Sequence, residues 1–260
     1  PRSHCCCHRP KGSAMYPDTL ICSHPRSGGR WLRYLIAHYL AARHQLDIAV
    51  TPQTVFAVVP DHHHTGARGY PVFQFREHHA LPLLAVCHQP YSWELHRGYP
   101  IFFLARNPYD VVVSAYYHLT QAKVEYTGSR RDFTQHARLG LPAWIEYMNV
   151  WAPQLLLHRD SVLLSYRELD TDPARALTRA LGFLHEAPDP VLVQAAVESG
   201  NALRSARDIR TGQEGNFWDH LEPDEIFNIQ EILHRDLSVF AVHLLESIGM
   251  EVDPFPRETA

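Results

Sequence analysis

At 260 residues, with 45% hydrophobic and 20% charged side chains, the chain has the size and composition of one sizeable globular unit. A net charge of −4 with histidines neutral excludes a field that gathers nucleic acid wholesale. No uninterrupted apolar run reaches the ~20 residues of a membrane helix, and no signal peptide is recognisable, so a cytoplasmic protein without a membrane partner is expected.

Residues 1–15, which include His4-Cys5-Cys6-Cys7-His8, read as a disordered or artificially appended leader, because adjacent ligands close a tetrahedral metal site poorly. Residues 16–260 read as a single domain. Thr19 to Ser23 form a short apolar stretch suited to a central strand, and Pro25 to Gly29 break it with turn residues. Beyond the turn, Leu32, Leu35, Ile36, Tyr39 and Leu40 recur on one face of a helix. A strand feeding a helix through such a turn leaves free N–H groups that hold anions, above all phosphate, and Arg26 and Arg30 add fixed charge. Taken alone, the segment also fits an ordinary α/β turn with incidental arginines.

Gln45 to Ala80, rich in Pro, His and Gly, is expected to be irregular, with His62-His63-His64 on a solvated loop. Leu83 to His88 and Ile101 to Ala105 are continuous apolar runs of the kind found in parallel strands buried on both faces. Asn107 then offers an N-cap, Pro108 suits the first helical position and Asp110 supports the first turn, so a second anion-friendly helix start follows directly. Ala143 to Trp151 reads as a helix and Ser161 to Ser165 as a fourth strand, followed by Tyr166. Asp172 to Leu181 and Pro190 to Glu198 read as helices, Arg204 to Trp218 as a polar loop, and Glu225 to Ile248 as one or two closing helices. Strands alternating with helices predict a three-layer α/β/α fold with a central, mainly parallel sheet, binding its ligand at the carboxyl ends of the strands. Cys22 and Cys87 fall within predicted buried strands, and the five cysteines do not make a disulfide framework.

Five segments, in order, resemble one family, the PAPS-dependent sulfotransferases of cytosolic type, with a P-loop NTPase-like fold. Pro25-Arg26-Ser27-Gly28-Gly29-Arg30-Trp31 resembles the phosphosulfate loop PKSGTTW, although a Walker A sequence is absent. Val86-Cys87-His88-Gln89-Pro90 resembles KTHLP. Arg106 to His118 resembles RNPKDVAVSYYH nearly residue for residue. Tyr166 stands where the family carries a YEDL-like tyrosine, and Arg210 to Phe217 looks like the late RKGxxGDW loop. The resemblance runs from about Thr19 to Leu221.

It implies sulfuryl transfer from 3′-phosphoadenosine-5′-phosphosulfate (PAPS) to a hydroxyl, or less readily an amine, of a small-molecule acceptor, without a metal. Arg26, Ser27, Gly28, Gly29 and Arg30 would hold the 5′-phosphosulfate. Arg106 and Ser114 would hold the 3′-phosphate, with Arg210, Thr211 and Gly212 closing over it. Trp31 and Phe217 would pack around the adenine, and Tyr166 would reach its edge. His88 would act as general base, with Arg26 stabilising the departing phosphate. The pattern departs from the family at Arg26 for Lys, Gly29 and Arg30 for two threonines, and Asn216-Phe217 for Asp-Trp. The aromatic residues of Gln45 to Ala80, Tyr91 to Tyr99 and Val124 to Gly140 suit an aromatic, glycosidic or otherwise hydroxylated acceptor. The Ala, Arg and His content hints at a bacterial natural-product enzyme, and a homodimer stays open. A P-loop nucleotide kinase lacks its GK[ST] here, and a nucleotide-binding protein without turnover is the other alternative.

Overall fold

A computed structural model describes residues 17–62, 73–75, 77–157, 160–206, 212–250 and 252–253, the side chains of 204–206 excepted. The expected leader over 1–15 and two of the expected phosphate contacts, Arg210 and Thr211, lie outside the described residues.

Four strands, β1 (Thr19–Ser23), β2 (Leu84–Cys87), β3 (Ile101–Ala105) and β4 (Ser161–Ser165), pair in the order β2-β1-β3-β4. All three pairings are parallel. Because side chains alternate along a strand, the sheet feeds two separate cores. Leu20, Cys22, Ala85, Cys87, Ile101 and Phe103 enter one core, and Ile21, Leu84, Val86, Phe102, Leu104 and Leu164 enter the other. Both faces being apolar, the strands read as continuous hydrophobic runs, which is why their limits were visible in the sequence.

Helices cover both faces. The second core is closed by α1 (Gly29–Arg43), and α2 (Val55–Val58) is a single turn beyond it. After α3 (Trp93–His96), the first core is covered by α4 (Pro108–Tyr117), which unwinds into a π-helical turn at His118–Ala122. The short α5 (Arg130–Thr134) leads into α6 (Leu141–Leu157). Helix α6 runs past its expected end at Trp151 and through Pro153. The proline forfeits one backbone bond, but Trp144, Tyr147, Met148, Trp151 and Leu155 are all buried by the continued helix, and that apolar gain decides. Helices α7 (Tyr166–Thr171), α8 (Pro173–Phe183) and α9 (Pro190–Ala206) return to the second core, and α10 (Pro223–Asp236) and α11 (Val239–Ser247) complete the first.

The chain leaves β1 for β2 on one side and crosses back to β3 on the other, so β1 ends between its two neighbours. This is the place where an open parallel sheet parts its connecting loops and makes a crevice. No helix among the described residues is long and apolar enough to cross a membrane.

Candidate active site

The loop after β1 is wound tightly. Arg26 adopts φ 73° and Gly28 φ 95°, both left-handed, and Ser27 N–H donates to His24 O at 3.2 Å. For arginine that conformation costs roughly 1 kcal/mol, strain that the fold imposes at this turn. Gly28 caps α1, its carbonyl accepting from Trp31 N–H (3.0 Å) and Leu32 N–H (3.1 Å). The first-turn N–H groups of Gly29 and Arg30 therefore face the loop rather than a preceding helical turn. A Cβ on Gly28 would overlap the Tyr166 ring, and one on Gly29 would stand 2.8 Å from Ser23 Oγ. Ser27 Oγ is buried and has no hydrogen-bond partner among the described residues. A buried hydroxyl beside orphan N–H groups and two arginines is a site built for an anion.

The loop after β3 meets it. Arg106, 3% exposed, directs one guanidinium N–H to Arg26 O (3.2 Å) and another to Gln213 O (3.2 Å). The same guanidinium lies 4.2 Å above the Tyr166 ring, whose hydroxyl donates to Gly212 O. Ser114 Oγ, expected beside Arg106, accepts instead from Arg26 Nε at 3.1 Å. Ser114 thus links the two arginine-bearing loops. Asn107 caps α4 by accepting from Tyr109 N–H, and Asp110 in its first turn accepts from Gly215 N–H (2.8 Å) and Phe217 N–H (2.9 Å). That carboxylate ties the late loop to the helix.

Charge is concentrated here. Arg26 is pushed down to about 10, by burial first and then by Arg106 and Arg30. Glu214, 3.9 Å from Arg106, is raised to about 7, by burial first and then by Asp110. Burial also raises Asp110, against the pull of Arg106 and the two N–H groups it accepts from.

His88, exposed at the end of β2, places Nδ1 2.8 Å from Ser23 O and 3.4 Å from Ser23 Oγ. A carbonyl only accepts, so Nδ1 carries the proton and Nε2 the lone pair. The ring also closes on the phosphosulfate-like loop, its Cε1 lying 3.6 Å from the Cβ position of Gly29.

Other expected residues fall differently. Trp31 is buried in the second core, its ring 6.3 Å from Tyr166 at 60°, so it backs that tyrosine. Phe217 packs on Tyr109 at 4.9 Å in the opposite core. Arg30 is exposed at the start of α1. Two groups escaped sequence reasoning. His24, one residue beyond β1, places Nδ1 2.9 Å from Pro25 O and is lowered to about 4, chiefly by burial, so it is neutral at pH 7. The only available signal was that it follows its strand as His88 follows β2. Glu214 had no signal at all, since its importance depends on where the late loop lands.

A sulfotransferase domain model matches residues 16–240. No curated protein sequence matches the chain. Among solved structures, mouse sulfotransferase SULT7A1 complexed with PAP is similar at TM-score 0.63 and 16% identity, covering 88% of each chain. Retinol dehydratase in complex with retinol and PAP is similar at TM-score 0.55 and 16% identity, covering 96% of this chain and 84% of that one. The same enzyme with androsterone and PAP matches at TM-score 0.55 and 14% identity, over 92% and 82%. At these identities the structures speak for the fold, and the domain match over most of the chain decides the family. The chain belongs to the sulfotransferase family, enzymes that take their sulfuryl group from PAPS.

Proposed function

We propose that the chain transfers a sulfuryl group from PAPS to a hydroxyl of a small-molecule acceptor, with His88 as general base. The observation that carries this is the pairing of His88 Nδ1 with Ser23 O, next to a loop on which Arg26 and Arg106 converge. It leaves Nε2 as a base at the rim of an anion cradle.

The residues present suit the nucleotide. The buried Ser27 Oγ, unpartnered among the described residues, and the N–H groups at the start of α1 would take the 5′-phosphosulfate, while Arg106 and Ser114 would lie towards the 3′-phosphate. Bound PAPS supplies an activated sulfuryl group on a phosphate leaving oxygen. His88 Nε2 accepts the proton of the acceptor hydroxyl as its oxygen bonds to sulfur. The bond from sulfur to the bridging oxygen breaks, and its electron pair goes to the phosphate of PAP. Arg26 stays charged and offers N–H donors to that phosphate, so its contribution is electrostatic rather than proton donation. The backbone bond to Ser23 keeps the His88 ring from turning as it takes the proton, a base of this kind contributing ~10²–10⁴-fold.

The acceptor is proposed to be an apolar or aromatic hydroxylated molecule. Tyr91, half-buried, and Trp93, 61% exposed, stand just beyond His88 in the chain. Androsterone and retinol, in the retinol dehydratase complexes, are hydroxylated apolar molecules of this kind. The reduced thiols of Cys22 and Cys87 suit a cytoplasmic setting.

The test is an acceptor panel incubated with isotopically labelled PAPS and read by mass. Appearance of a sulfated phenol or alcohol, abolished by His88→Ala while PAP binding persists, is the expected result. Tight PAP binding with no product on any acceptor would make the chain a nucleotide-binding protein without turnover.

A further inference from the structure

The pairing of β1 with β2 sets Cys22 directly beside Cys87, sixty-five positions apart in the chain. Both thiols enter the first core and both are fully buried. His96, at the end of α3, is 1% exposed and points Nε2 at Cys87 Sγ from 3.4 Å. Ligand atoms of Cys22, Cys87 and His96 all lie within 4.8 Å of one another, a clustering of soft donors that the sulfuryl-transfer reading does not use.

We propose that Cys22, Cys87 and His96, completed by His62, form a closed structural site for a thiophilic divalent cation, zinc above all. Four features support it. Bond lengths of about 2.3 Å to sulfur and 2.0–2.1 Å to nitrogen give a tetrahedral edge of about 3.5 Å, close to the observed separation of Cys87 from His96. His96 Nδ1 lies 3.0 Å from both Ser92 N and Ser92 O; in the tautomer that donates to the carbonyl, the Nε2 lone pair is on the cysteine side, the arrangement a metal-bound imidazole requires. His62 is held to β2 by its N–H on Val86 O (2.7 Å), and its ring comes within hydrogen-bond reach of Cys87. Among the described residues the Tyr147 hydroxyl, buried close to both sulfurs, donates to no acceptor; the neighbouring Trp151 indole N–H can only donate, and it reaches Gln89 O at 3.2 Å. It is a donor available to a metal-bound thiolate.

Charge selects the ion. Binding a dication releases two thiol protons and leaves two thiolates, two neutral imidazoles and no net charge in a core that tolerates none. With the three clustered ligands buried and half-buried His62 assigned to the fourth position, the site is structural and loads as the chain folds. Cys22 immediately precedes Ser23, and Cys87 immediately precedes His88. The ion would therefore clamp β1 to β2 directly beneath the bond that orients the base.

The experiment uses the full chain with Cys5, Cys6 and Cys7 changed to serine, so that the cysteines near its start contribute no thiolate. The protein is unfolded, stripped with chelator and refolded with cobalt(II) or zinc(II) alone. One equivalent of cobalt, with a thiolate-to-metal charge-transfer band and tetrahedral ligand-field bands, is expected. Refolding with zinc should raise the melting temperature by about 5 °C or more over the chelated protein. Cys87→Ala and His96→Ala should each lower metal affinity at least a hundredfold, and Cys22→Ala likewise. Absence of the charge-transfer band in the unmutated site, an unchanged melting temperature, or a Cys22–Cys87 disulfide in the protein as isolated would each overturn the proposal. None of these readouts depends on catalytic turnover.

Discussion

Arg106 donates to the backbone carbonyl of Arg26 across 3.2 Å, although eighty residues separate them. The bond brings the Arg106 guanidinium onto the loop that carries Arg26, whose own guanidinium is driven down to about 10 by burial first and then by this like charge. A folded chain tolerates such repulsion when an anion relieves it. Arg106→Ala should therefore weaken PAP binding by roughly 10–100-fold, the loss of about 1.5–3 kcal/mol expected for a hydrogen bond to a charged group. Arg106→Lys should recover little, because an ammonium cannot reach Arg26 O and Gln213 O together. Calorimetric titration with PAP reads both, and unchanged affinity in the alanine variant would remove Arg106 from the nucleotide site.

His88→Ala should separate chemistry from binding. Turnover should fall by ~10²–10⁴-fold while the Kd for PAP moves only slightly, since the ring contacts the β1 carbonyl and not the arginines. His88→Gln preserves a donor to Ser23 O without supplying a base, and should be nearly as slow. A glutamine variant retaining most of the activity would mean that orientation, not proton transfer, is what the ring provides.

Gly29 stands where the family's loop pattern has threonine, and the structure gives the reason. A Cβ there would sit 2.8 Å from the fully buried Ser23 Oγ. Gly29→Ala should destabilise the apo-protein by ~1–3 kcal/mol, the usual cost of overpacking. Ser23→Gly removes the obstructing hydroxyl, so the double variant should recover much of that loss and show a coupling of ~0.5–3 kcal/mol in a double-mutant cycle. Denaturant melts of the four proteins provide the cycle, and strict additivity would show that the contact is relieved some other way.

How far the sequence could be read depended on where each signal resides. Strands β1 and β3 announced themselves because two-sided burial leaves their interiors without a polar interruption, β4 did so through its Val162-Leu163-Leu164 run although its first three residues are only half-buried, and Asn107-Pro108 located the start of α4 because capping is local chemistry. Single-turn helices such as α2 and α3 carried too few residues for a period to register. The reach of α6 through Pro153 was set by tertiary burial, which overrides a local breaker. In the site, Arg26, Ser114, Arg106 and His88 were each legible as parts of motifs. That Ser114 partners Arg26 was not, since it depends on how the two loops cross. The facing of Cys22 and Cys87 was equally hidden, because strand register is a property of pairing and not of either segment.

The late loop supplies a pH dependence that no motif foretold. Glu214 is raised from 4.5 to about 7, by burial first and by the Asp110 carboxyl second. A carboxyl whose folded pKa exceeds its unfolded value holds its proton more tightly when folded, so its stabilisation is complete below about pH 4.5 and fades as pH rises through about 7. Apo-protein melts should accordingly show stability declining between pH 5 and 8, with the decline reduced in Glu214→Gln. The same ionisation places a negative charge 3.9 Å from Arg106, where it opposes an incoming phosphate. Over pH 6.5–8.5, affinity for PAP relative to that of Glu214→Gln should fall by roughly five- to tenfold, an interaction of about 1 kcal/mol between partly screened charges. The ratio to the variant cancels the titration of the nucleotide's own phosphates. A ratio flat across that range would mean that the Glu214 side chain swings away from Arg106 when the nucleotide enters.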